Sequence, residues 1–148
     1  MNTRYALSIL VSVAAGLMLS AIVRVNATLG TRIGEIEATL VVHLVGTLFA
    51  LLLVAPWLGK NFWTTLSGRP WVEFGGGVLS VVMVVVANVV VPHLGTALAV
   101  SLFVTGDLFF STVSDRTGWM DLVEIRLSWR RVVGLLLALT GILLVHWG

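Results

Sequence analysis

Five polar side chains sit where the surrounding sequence is too apolar to solvate them: Asp107, His43, Glu37, Asn26 and Asn88. An ionisable side chain at the centre of a membrane helix costs at least about 2.5–3.5 kcal/mol on insertion scales, so each one marks a candidate site. Asp107 follows Gly95 by twelve positions, a depth of about 18 Å at the helical rise. That is close to the midplane of a hydrocarbon core roughly 30 Å thick. A carboxylate at this depth either binds a proton or cation on a transport path, or is tied by a hydrogen bond to a neighbouring helix. The first is the working assignment.

His43 interrupts an otherwise apolar run in its outer half. An imidazole there either ties two helices together or carries a proton. Glu37 lies at the start of the same run. An acid in a first helical turn is favoured by the exposed N–H groups, a reading that fits Glu35 better, because an apolar run follows Glu37 at once. Glu37 is therefore grouped with His43 as tuning or gating the outer access route. Asn26 and Asn88 are uncharged but still need partners among the helices. Glu73, just after Pro70, reads as a helix-start acid.

The elements that must position these residues follow from composition. Of 148 residues, 58% are hydrophobic and 11% charged, against about 25% charged in soluble domains. This excludes a water-soluble enzyme. Five apolar runs stand out: Tyr5 to Val23, Ala38 to Leu58, Phe74 to Val91, Gly95 to Val113 and Val132 to Trp147. Their length and the charge and Gly/Pro clusters between them predict membrane helices, whereas barrel strands would alternate in polarity over about 10 residues. The expected fold is an all-α membrane protein, a single five-helix bundle over residues 1–148. The first run is not read as a cleaved signal peptide, because it is long and lacks a small-residue cleavage site before Arg24. The loop from Ser114 to Arg131 alternates apolar residues with charges and is expected to lie as a short helix on the inner surface.

Arg4, Lys60, Arg69, Arg116, Arg126, Arg130 and Arg131 fall on one side of these spans, and only Arg24 and Arg32 on the other. That bias predicts a cytoplasmic N-terminus and an outside C-terminus. It also accounts for the sequence pI of about 9.9 without a nucleic-acid partner. The six tryptophans lie near predicted span ends, as an interfacial belt requires. Gly75, Gly76 and Gly77, and the pair Gly134 and Gly141, allow close helix approach. Cysteine is absent, and no phosphate-binding loop, zinc-protease helix or nucleophile elbow occurs. No cofactor, metal or enzymatic activity is expected.

Several short motifs in order carry a family likeness: Gly16 with Asn26 and Leu29-Gly30, Val45-Gly46-Thr47, Pro70-Trp71 before Gly75-Gly76, and Pro92-His93-Leu94-Gly95. Gly106 with Ser111, Asp115 and Gly118, then Arg131, Gly134 and Gly141, complete it. With these the chain resembles the YdcZ-like family of half-size proteins in the drug/metabolite transporter superfamily. The resemblance implies a secondary transporter in which two five-helix units of opposite orientation make a ten-helix, inverted-repeat whole, with the site at the midplane. Against the family pattern, Ile22 and Asp107 stand where glutamines are common. A lost amide and a gained carboxylate and imidazole suggest a changed substrate or a proton-coupled cycle.

The expected function is a half-size carrier of a small organic solute in the bacterial inner membrane. Asp107 exchanges the proton or cationic substrate, and the proton is the expected coupling ion. The charge bias favours an antiparallel heterodimer with an oppositely oriented homologue over an antiparallel homodimer, with a same-orientation homo-oligomer as the next choice. The alternatives are a small oligomeric channel, expected to give non-saturating flux, and a non-transporting assembly subunit.

Overall fold

The computed structural model describes residues 3–59, 62–117 and 128–147, with the side chains of Arg130 and Arg131 outside that description. The described residues are helical, without strands. In chain order they form α1 (Thr3–Ile33), α2 (Glu35–Val54), a 3-10 turn (Ala55–Trp57), α3 (Phe62–Ser67) and a second 3-10 turn (Trp71–Phe74). There follow α4 (Gly75–Leu94), α5 (Thr96–Thr117) and α6 (Trp129–Trp147). Four stretches are long and apolar enough to cross a membrane: Thr3–Ile33, Glu35–Trp57, Trp71–Leu94 and Thr96–Thr117. Val132–Trp147 is a shorter apolar helix. The loop expected to lie as a surface helix falls largely on residues 118–127, outside the described residues.

Helices overrun the apolar stretches that announce them, because a helix is closed by backbone hydrogen bonds and not by hydropathy. The largest overrun is α1, which continues ten residues past Val23 through Arg24, Asn26, Thr28 and Arg32. At 31 residues it is about 46 Å long. What stops it is Gly34, whose φ of +102° only glycine adopts without strain. Gly95, at φ +77°, makes the corresponding break between α4 and α5. Each break is a single residue. Pro92 lies inside the last turn of α4, which runs on to Leu94. Because proline has no N–H, the Asn88 carbonyl loses its helical donor there.

The chain divides into two compact units, Met1–His93 and Leu94–Gly148. In the first, α1 packs on α2 near their joint. Val23, Ala27 and Gly30 form the buried stripe of α1, Ala38 and Thr39 that of α2, and Ala87, Asn88 and Val91 that of α4. These are small or slender residues, which let backbones approach closely in lipid, where hydrophobicity supplies no force between helices. In the second unit α5 packs on α6.

Elsewhere large apolar side chains point outward, Leu52, Leu144 and Leu17 among them. A soluble protein does not expose so much contiguous apolar surface. Trp57, Trp63, Trp71, Trp129 and Trp147 are all exposed and lie at the ends of the long helices or just beyond them.

A polar line between helices and the groove beside it

Helix α2 carries polar residues every fourth position: Glu35, Thr39, His43 and Thr47. Residues four apart share a helix face, so these form one stripe. On α4, Ser80 and Asn88 are eight apart with Val84 between them and likewise share a face. The two stripes meet. Asn88 Nδ2 donates to the Glu35 carbonyl at 3.1 Å and to Thr39 Oγ1 at 3.2 Å. Thr39 Oγ1 in turn donates to the Glu35 carbonyl at 2.7 Å. One turn further along α2, His43 Nδ1 lies 2.8 Å from the Thr39 carbonyl, and Nε2 lies 3.3 Å from Ser80 Oγ.

The imidazole's roles follow from these partners. A carbonyl oxygen only accepts, so Nδ1 carries a proton and donates to Thr39. In the neutral ring Nε2 then accepts from the Ser80 hydroxyl; in the charged ring it donates and the hydroxyl turns away. Ser80 serves both states.

Asn88 is fully buried. Its two donated bonds fix the amide orientation, and its Oδ1 has no hydrogen-bond partner among the described residues. Helix α1 closes over it at Gly30: a Cβ at that position would lie 3.2 Å from Asn88 Cβ. Glycine is therefore what allows α1 to pass here.

Beside the polar line runs a groove of about 350 Å³, lined by Asn26 from α1, Val42, His43, Gly46, Thr47 and Ala50 from α2, and Val84 from α4. Of the residues marked from sequence, Asn26 and His43 thus share one groove, and Asn88 joins them through Thr39. Glu37 lies elsewhere: with Glu35 it occupies the first turn of α2, exposed, and its carboxylate folds over Gly34 so that a Cβ there would collide with it. Glu73 falls in the turn that leads into α4. Asp107 belongs to the second unit, exposed on α5.

Thr39 and Ser80 were not singled out from sequence. The four-residue spacing from Glu35 to Thr47 was the signal available. Among the described residues no cluster of His, Cys, Asp or Glu is arranged to hold a metal ion.

A family profile described as "Putative inner membrane exporter, YdcZ" matches residues 7–144. The chain belongs to the YdcZ family. Membership makes it a transporter of the inner membrane, and the apolar helices agree with that setting. No curated protein and no solved structure gave a match. Within the YdcZ match lie all five polar residues marked from sequence, together with Thr39 and Ser80.

Proposed function

We propose that this chain is one half of a proton-coupled exporter of a small organic solute, working as an antiparallel dimer with an oppositely oriented homologue. Asp107 carries the reading. It stands eleven positions into α5, about 16 Å along the helix. It is exposed, and it has no hydrogen-bond partner among the described residues. Lipid cannot solvate a carboxylate at that depth, so a second protein surface or a water-filled path must. Two halves of inverted topology supply both at the midplane between them. The family description supports export, and the seven-to-two distribution of basic residues supports a fixed orientation and hence a partner of opposite bias.

In this reading each half has five spans. The fifth is α6, whose terminal tryptophans, Trp129 and Trp147, are about 27 Å apart along the axis, close to a bilayer core. Asp107 exchanges the proton. His43, held between Thr39 and Ser80, and Glu37, at the start of α2, tune the outer route.

The test is solute-dependent proton flux in proteoliposomes containing the co-expressed pair. Asp107→Asn is expected to abolish that flux while incorporation and association of the two chains stay as in the wild type. Wild-type flux and stoichiometry in the variant would remove the assignment.

A further inference from the structure

The groove beside His43 meets another at Ala50. Thr47 and Ala50 also line a second groove of about 630 Å³, whose remaining walls are Leu51, Val54, Leu58, Gly59, Phe62 and Trp63. The two adjoin at Thr47 and Ala50 on α2, and they differ in chemistry. The first presents the Asn26 amide, the His43 ring and the Thr47 hydroxyl. The second is walled by aliphatic side chains and closed by Phe62 and Trp63, which pack edge to face at 5.3 Å. From His43 to Val54 the face runs about 16 Å.

We infer that these adjoining grooves together bind an amphiphilic solute with an uncharged hydrogen-bonding head and a hydrocarbon or aromatic tail. The inference deepens the proposed function and rests on it for the meaning of the site. The head lies at Asn26 and Thr47, whose side chains make no hydrogen bond among the described residues and hold donors and acceptors of both kinds. In an apolar setting such groups gain from a partner of matching chemistry. Among the described residues no carboxylate or guanidinium lines either groove, so beside a neutral His43 ring a fixed charge on the head would be desolvated without a counter-charge, at high cost. The tail lies over Val54 and Leu58 and reaches Phe62 and Trp63. Gly46 keeps the head end open: a Cβ built there meets nothing within 4 Å, so a larger residue projects without obstruction and fills the space.

The test is photolabelling of the chain in proteoliposomes with two diazirine derivatives of N-decylacetamide, one labelled at the tail terminus and one beside the amide. The tail probe is expected to label the segment containing Leu58 and Trp63, and the head probe the segment containing Gly46 and Thr47. Excess N-decylacetamide should compete, and decyltrimethylammonium or decanoate should compete poorly. Gly46→Leu should lower the competed labelling about tenfold, the scale on which filling a pocket discriminates. Gly16→Leu, equally unobstructed but outside the groove, should leave it unchanged.

Labelling that excess amide does not compete, or that both leucine variants show equally, would overturn the inference, since it marks partitioning into lipid. So would strongest competition by the ammonium. Competed, Gly46-dependent labelling alongside unaltered proton flux in Asp107→Asn would uphold the amphiphile site and remove only the proton-coupled reading. Solute-driven proton flux with uncompeted labelling would do the reverse.

Discussion

Thr39 on α2 and Asn88 on α4 stand 49 positions apart and are joined side chain to side chain at 3.2 Å, with the Asn88 amide reaching on to the Glu35 carbonyl. In lipid this bond has no competition from water, but the separated helices find other partners, which limits its worth. The pair is best measured as a cycle. Thr39→Val and Asn88→Leu should each lower the stability of the chain in mixed micelles, and their coupling should be about 0.6–1.7 kcal/mol. The double variant should be milder than the sum of the singles, because removing both partners leaves no stranded donor. Circular dichroism during titration with dodecyl sulfate reads all four corners.

Gly30 should be among the least replaceable glycines of the first unit. An added methyl would stand 3.2 Å from Asn88 Cβ, and Asn88 is fixed by its two donated bonds. Gly30→Val is expected to cost about 1–3 kcal/mol, the usual range for overpacking. At Gly16, where nothing lies within 4 Å, the same substitution should cost well under half as much. Equal costs at the two sites would contradict the packing of α1 over α4.

The two single-residue breaks carry a conformational demand. At φ +102° and +77°, Gly34→Ala should lose about 1–3 kcal/mol, because its ψ of 146° puts it where essentially only glycine goes, and Gly95→Ala about 1–2 kcal/mol, the cost of a left-handed backbone for an L-residue. The loss should be larger at Gly34, where the Glu37 carboxylate occupies the space of the new methyl. Glu37→Ala should relieve that extra part and leave the backbone part, which the Gly34→Ala/Glu37→Ala double variant would isolate in the same titration.

A reporter pair fused to the C-terminus, one active only inside the cell and one only outside, should give an outside signal alone when the chain is expressed by itself. The basic residues distribute seven to two, and short loops follow that bias. A mixed signal would make the chain its own antiparallel partner and remove the need for a homologue.

The long helices were legible because apolar runs punctuated by glycine, proline and charge announce them. Their ends were less so. Arg24 closes the first apolar run, yet α1 passes it by nine residues, since an arginine breaks hydropathy without breaking a helix. Among the candidate residues, His43, Asn26 and Asn88 were visible as polar side chains in apolar surroundings. Thr39 and Ser80 were not. Serine and threonine in such helices ordinarily donate to a carbonyl one turn back, as Ser8, Ser12, Thr28, Ser101 and Thr105 do here, and need no further partner. Thr39 makes that bond too and receives a second one from Asn88. Only the packing of α2 against α4 distinguishes it from the others. Glu37, expected at the outer start of its helix, lies in the first turn of α2, where Gly34 begins it.

The one-residue joint at Gly34 also bears on how the protein is made. Helices α1 and α2 are packed together across a one-residue connection, which favours their entering the bilayer together. They are expected to leave the insertion machinery as a paired hairpin. At that joint there is also almost no chain for a protease to grip, so the finished molecule should resist cutting between α1 and α2.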